Sequence, residues 1–110
     1  MDKSKVRRGE VFAINNKNIR GHRSLIINLD DFNIDTIVFT HSMKTRNIPN
    51  IKLQVNPDSK DIDEYGNIRD TFILKNIQKA NIKDLGKYYQ NFRVKNPVDK
   101  SVIRHISKKK

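Results

Sequence analysis

The residues best suited to chemistry are an arginine, a histidine and a serine at the ends of two apolar segments. Arg23 precedes the apolar run 25–27, and His41 and Ser42 follow the run 36–39. If these runs are neighbouring strands of one sheet, their polar ends converge. A guanidinium and a hydroxyl could then hold a phosphate group while the imidazole moves a proton near neutral pH. This interpretation requires Arg23 to lie beside His41 or Ser42 without being buried against an acidic side chain.

The overall charge favours a polyanionic partner. The chain has 110 residues, with 23 Lys and Arg against 12 Asp and Glu, and its formal net charge is +11. Each phosphate that a basic protein neutralises releases counterions, so this imbalance indicates a nucleic acid, and we expect single-stranded RNA. Four basic residues near the proposed site are candidates for holding the RNA backbone: Arg20, His22, Lys44 and Arg46. His22 is also an alternative to His41 as proton carrier.

Several other kinds of site are not supported by the sequence. There is no cysteine, which excludes disulfides and thiolate zinc sites, and the three histidines are too scattered to suggest another metal site. Asp61 and Asp63 have a calcium-loop spacing, but the terminal bidentate glutamate is missing, so the segment 58–67 is expected to be a solvated acidic loop. No signal-peptide pattern or membrane-spanning run is present. We therefore expect a cytoplasmic protein with no metal, cofactor or membrane.

The hydrophobic pattern predicts one domain over residues 1–110, with flexible basic ends at 1–5 and 108–110. Strands are predicted over 11–14, 24–28, 36–40, 51–55 and 71–74, with a last, loosely alternating strand over 88–94. The segment 44–50 is expected to be a basic loop, and Asn81 to cap a short helix that Gly86 ends. Asn96 and Pro97 predict the start of a C-terminal helix. Short strands followed by one helix favour a mainly β fold, a small barrel with a C-terminal helix.

The order of these segments resembles the MazF/PemK/Kid family of toxin ribonucleases, over roughly residues 6–107. Near the N-terminus, Arg8-Gly9-Glu10-Val11-Phe12 is similar to the family's R-G-E/D-[IV]-[WY], and Gly21-x-Arg23-Ser24-Leu25-Ile26-Ile27 is similar to its G-x-R-P-[ALV]. Asp31-Phe32-Asn33 resembles the family's D-x-F-N turn, and the strand ending at Ser42 resembles V-V-P-[IVL]-T-S. The segment 70–86, D-T-F-I-L-K-N-I-Q-K-A-N-I-K-D-L-G, is similar to D-S-V-[IV]-L-L-x-Q-I-R-T-[IVL]-D-K-x-R-L-G. This sequence departs from the family where Ser24 replaces a proline and where His41 replaces an apolar residue.

The resemblance implies an SH3-like barrel with a C-terminal helix, usually a homodimer. It also implies metal-independent cleavage of single-stranded RNA by the ribose 2′-hydroxyl, leaving a 2′,3′-cyclic phosphate and a 5′-hydroxyl. Arg23 takes the place of the family's essential arginine, and Ser42 that of its essential threonine or serine; a one-residue register change would put His41 there instead. A cognate antitoxin would cover the groove with an acidic peptide. Because the motif residues diverge, a non-catalytic nucleic-acid- or protein-binding module on the same barrel is the alternative.

Overall fold

A computed structural model describes residues 6–58 and 60–89. This part of the chain consists of short strands and one 3₁₀ turn, Ile82–Asp84. The strands are β1 (Val11–Ile14), β2 (Arg23–Leu29), β3 (Asn33–Thr40), β4 (Lys44–Thr45), β5 (Ile48–Pro49), β6 (Ile51–Lys52), β7 (Phe72–Ile73), β8 (Gln78–Asn81) and β9 (Leu85–Tyr88). A seven-stranded antiparallel sheet has the order β6-β7-β3-β2-β1-β9, with β8 also paired to β3, while β4 and β5 form a separate hairpin.

Strand β3 is the centre of this sheet. One edge of β3 pairs with β2, and the other edge pairs first with β8 and then with β7. Ile34 lies opposite Ala80 and Phe39 opposite Ile73, so five steps along β3 correspond to seven along its partner. The connection between β7 and β8, residues 74–77, is therefore two residues longer than the facing part of β3, residues 37–38.

Apolar side chains cover both faces of the sheet. One cluster holds Val6, Phe12, Ile14, Ile19, Ile26, Ile34, Val38, Ala80 and Ile82. The other holds Val11, Leu25, Ile37, Phe39, Leu53 and Ile73. Successive strand residues point to opposite faces, so two buried faces require continuous apolar runs such as 25–27 and 37–39. This is why β2 and β3 are the most apolar segments of the chain.

The predicted strand over 11–14 is confirmed, and those over 24–28 and 36–40 are confirmed with longer bounds. The strand expected over 51–55 ends at Lys52, and the one expected over 71–74 is Phe72–Ile73. The expected helix after Asn81 is one 3₁₀ turn with a capping box. Gly86 does not end it, because β9 has already begun at Leu85.

The prediction of a basic loop over 44–50 is wrong, since this segment is the β4–β5 hairpin. Its two-residue turn, Arg46 and Asn47, has positive φ values of 51° and 65°. Positive φ at both central residues is the requirement of a type I′ turn, which matches the twist of paired strands. Arginine is rare in this conformation, so the hairpin has little signature in the residue types of its turn.

The prediction of a mainly β fold is confirmed. Within the described residues the antiparallel sheet is not closed into a barrel, because β6 and β9 stand at its two ends without pairing to each other. The C-terminal helix expected from Asn96 onward, most of the strand expected over 88–94, and the flexible ends expected at 1–5 and 108–110 lie outside the described residues. No helix in the described part of the chain is long and apolar enough to cross a membrane.

Candidate functional site

The pairing of β2 with β3 brings Arg23 and His41 together. Arg23 begins β2, and His41 directly follows the end of β3, in an antiparallel pair whose register places Ser24 opposite Val38. The guanidinium Nη2 of Arg23 lies 3.3 Å from Nε2 of His41. The predicted meeting of these two strand ends is therefore present in the structure.

Two carboxylates also contact Arg23, which the sequence interpretation did not anticipate. Nη1 donates to Oδ2 of Asp58 at 2.8 Å, and Nη2 donates to Oδ2 of Asp61 at 3.1 Å. The side chain of Arg23 is 12% exposed and those of both aspartates are 11% exposed. The expectation of a solvated acidic loop is thus wrong for Asp58 and Asp61. The requirement that Arg23 be clear of acidic side chains is not met either.

A single oxygen of Asp61 is the centre of the site. Its Oδ2 accepts hydrogen bonds from His41 Nε2 at 2.6 Å, from Asn56 Nδ2 at 2.8 Å and from Arg23 Nη2 at 3.1 Å. Burial raises the pKa of Asp61, but the bonds from His41 and Asn56 and the charge of Arg23 outweigh it, so its pKa lies below the ordinary value. Since an ionised carboxylate only accepts, Nε2 of His41 carries the hydrogen and donates it.

The loop that carries these aspartates is held by local side-chain to backbone hydrogen bonds. Asn56 Oδ1 accepts from the backbone N–H of Asp58, and Asp58 Oδ1 accepts from the backbone N–H of Lys60. The amide of Asn56 also donates to the carbonyl of Arg69 at 3.0 Å, closing the loop across its base. Turns of this kind are typical of Asn and Asp. Asn56 and Asp58 therefore fix the loop while their other atoms face the site.

Two more of the predicted residues, His22 and Arg20, lie near this cluster. The pKa of His22 is lowered, first by partial burial and then by the positive charges of Arg23, His41 and Arg20. Both residues follow a turn in which Asn16 Oδ1 accepts from the backbone N–H of Ile19, a residue fully buried in the core. Four of the seven predicted site residues, Arg20, His22, Arg23 and His41, thus share one region.

The other three predicted residues, Ser42, Lys44 and Arg46, do not join the cluster. Ser42 is exposed, its backbone N–H donates to Thr40 Oγ1, and its carbonyl accepts from Asn50. Among the described residues, its hydroxyl makes no hydrogen bond to Arg23 or His41. Lys44 and Arg46 lie exposed on the β4–β5 hairpin that follows. Of the two alternatives at the end of β3, His41 is the one that contacts Arg23.

Sequence reasoning missed Asn56, Asp58 and Asp61 as parts of the site. Asp58 and Asp61 are 35 and 38 positions from Arg23, so no local spacing links them. The one available signal was a cluster of acids in a strongly basic chain, and a solvated loop explains that signal equally well.

The charges of Arg23, Asp58 and Asp61 add up to a net negative charge. One guanidinium faces two carboxylates, so these three side chains together do not attract an anion. An RNA phosphate could reach Arg23 only by taking the place of at least one carboxylate.

Comparison with known proteins adds no assignment. No protein-family model matches the sequence, and no curated protein matches it.

Proposed function

We propose that this protein is an endoribonuclease that cleaves single-stranded RNA without a metal ion, in the manner of the toxin family that its sequence resembles. The observation that carries the proposal is the 3.3 Å approach of Arg23 to His41 at the ends of two paired strands. The net charge of +11 supports it, because a basic protein draws in RNA and holds its backbone.

In the proposed reaction the ribose 2′-oxygen loses its proton and forms a bond to phosphorus. The bond from phosphorus to the 5′-oxygen then breaks, and that oxygen takes up a proton. After the phosphate has displaced at least one of the two carboxylates that hold Arg23, its guanidinium stabilises the negative charge that grows on the non-bridging oxygens. His41 carries the proton, with His22 as the alternative. Ser42 lies outside the cluster, and its role in orienting the phosphate rests on the family resemblance alone. Arg20, Lys44 and Arg46 hold the flanking RNA backbone.

Several further properties belong to the same proposal. They are an SH3-like fold, a homodimer, a cytoplasmic location and a cognate antitoxin that covers the groove with an acidic segment. The short antiparallel strands around a central β3 are compatible with such a fold. The capture of Arg23 by Asp58 and Asp61 indicates that acidic groups fit this position, which supports an acidic partner.

One observation favours a second candidate, a non-catalytic RNA-binding module. Arg23 is held by two carboxylates in a largely buried setting, as a structural arginine would be. In that case the basic surface binds RNA with strong salt dependence, and no RNA is cut.

The two candidates differ in whether RNA is cleaved. A long single-stranded RNA is incubated with the protein in chelator, and cut sites and end groups are mapped. The nuclease predicts 2′,3′-cyclic phosphate ends, a large loss of cutting in His41→Gln, and a smaller effect of His22→Gln. His41 is suitable for this test because its side chain is 37% exposed, so its replacement disturbs folding little. Cutting that is equal in wild type and His41→Gln would refute the proposed role of His41, and binding without cutting would favour the module.

A further inference from the structure

The three donors around Asp61 have the geometry of an anion-binding subsite. Arg23, His41 and Asn56 each direct an N–H group at one oxygen, at distances between 2.6 and 3.1 Å. They reach it from β2, from the end of β3 and from the base of the acidic loop. We propose that this trio binds one non-bridging oxygen of an RNA phosphate, and that Asp61 occupies the same position in the free protein. The inference rests on the proposed binding of RNA and adds Asn56 as a phosphate-binding residue.

The chemistry of the trio suits a phosphate as well as it suits a carboxylate. Charged donors form short, strong hydrogen bonds with anionic oxygens, and an arginine fork matches two oxygens of one phosphate. In the free protein the two fork nitrogens of Arg23 each hold one carboxylate oxygen, from Asp58 and from Asp61. A single phosphate group would offer two oxygens to the same pair of nitrogens.

The loop that carries Asp61 has little packing to hold it in place. Beyond Asp61 the large apolar side chains are exposed, with Ile62 at 52%, Tyr65 at 81% and Ile68 at 58%. Within the described residues after Asp61, the pairing given for this segment is an isolated bridge between Ile62 and Ile68, and no strand ladder is present there. Segments with few buried apolar contacts open at low free-energy cost. An incoming phosphate therefore competes with the ion pairs and with the hydrogen bonds of the loop, and not with a packed core.

The test compares two variants that each remove one negative charge from this loop. Asp61→Asn empties the subsite of its carboxylate, whereas Glu64→Gln changes an exposed residue. Inorganic phosphate is titrated at constant ionic strength while the ring resonances of His41 are followed by NMR. We expect the phosphate concentration at the midpoint of the titration to be at least about tenfold lower for Asp61→Asn than for Glu64→Gln. A tenfold difference in affinity corresponds to about 1.4 kcal/mol. Equal midpoints overturn the proposal. Adding Arg23→Lys to Asp61→Asn should remove the gain in phosphate affinity. A double variant that keeps this gain also overturns the proposal.

A second measurement uses the wild-type protein, so it does not depend on whether a variant folds. Backbone amide exchange is recorded with and without a single-stranded RNA that carries 2′-O-methyl groups and cannot be cut. Displacement of Asp61 predicts faster exchange at the amides of Asp61 and Arg69, which are hydrogen-bonded in the free protein. The β2–β3 amides should not change. Unchanged or slower exchange in the loop overturns the proposal. A protein that binds phosphate as described but never cuts RNA would refute the nuclease function and leave the subsite intact.

Discussion

Replacing Arg23 by alanine should destabilise the fold as well as alter the site. The family resemblance alone suggests a clean loss of activity with folding intact. The structure changes that expectation, because Arg23 holds two carboxylates that are each 11% exposed. Truncation would leave both acids without their guanidinium, in a setting where water reaches them poorly.

The size of the effect follows from these contacts. Removing one partner of a buried ion pair costs about 3–5 kcal/mol. The lower end applies here, because Asp61 retains donors in His41 and Asn56 and Asp58 retains the backbone N–H of Lys60. We therefore expect Arg23→Ala to lower the free energy of unfolding by about 3 kcal/mol, a large part of the roughly 5–15 kcal/mol typical of a domain. Adding Asp58→Asn and Asp61→Asn to Arg23→Ala should recover about half of the lost free energy of unfolding, since the unpaired carboxylate charges are then gone.

Urea unfolding followed by circular dichroism measures this directly. Arg8→Ala is the matched control, because Arg8 is exposed and the change in charge is the same. Its free energy of unfolding should stay within about 0.5 kcal/mol of wild type. An Arg23→Ala variant as stable as Arg8→Ala would show that the ion pairs are screened by solvent and that the reasoning from burial is wrong. The comparison also decides whether a loss of RNA cutting in Arg23→Ala reflects chemistry or unfolding.

Two further predictions concern pH and the β4–β5 hairpin. The pKa of Asp61 is lower in the folded state than the unfolded value of about 3.9. The ionised carboxylate of Asp61 therefore stabilises the folded protein fully above that pH, and this contribution is lost as pH falls through the folded pKa. Urea midpoints measured from about pH 2 to pH 6 should therefore fall less steeply with falling pH in Asp61→Asn than in wild type. Some acid sensitivity should remain in the variant, because backbone hydrogen bonds also lower the pKa of Asp30. Identical slopes in the two proteins would contradict this prediction. Replacing Arg46-Asn47 by Asn-Gly should stabilise the type I′ turn by about 1 kcal/mol in thermal unfolding. The same change should reduce the salt dependence of RNA binding by about 0.7 in log–log slope, and an unchanged slope would remove Arg46 from the RNA contacts.

The parts of the fold that the sequence predicted well are those with strong local patterns. Strands β1, β2 and β3 lie where apolar runs and turn residues placed them, and Asn81 does begin a capped turn. The turn at Arg46 was missed because a positive φ at arginine leaves no signature in the sequence. Strand β8 was missed because its alternation is weak and it is set by pairing with β3.

The candidate site was predictable only in part, for a similar reason. The meeting of Arg23 with His41 follows from the order and direction of two neighbouring strands. The contact of Asp58 and Asp61 with Arg23 depends on the path of a loop that lies more than thirty residues from Arg23 in the sequence. That path is fixed by the hydrogen bonds of Asn56, which local spacing cannot reveal.

The β2–β3 pairing contains a shift in register between Ile26 and Asn28. It divides the hairpin into an inner half, which ends at the Asp30 turn, and an outer half, which sets Arg23 against His41. An insertion or deletion in the turn can be absorbed at this irregularity before it shifts the outer half. We therefore expect a change in the length of the turn to leave the contact between Arg23 and His41 in place.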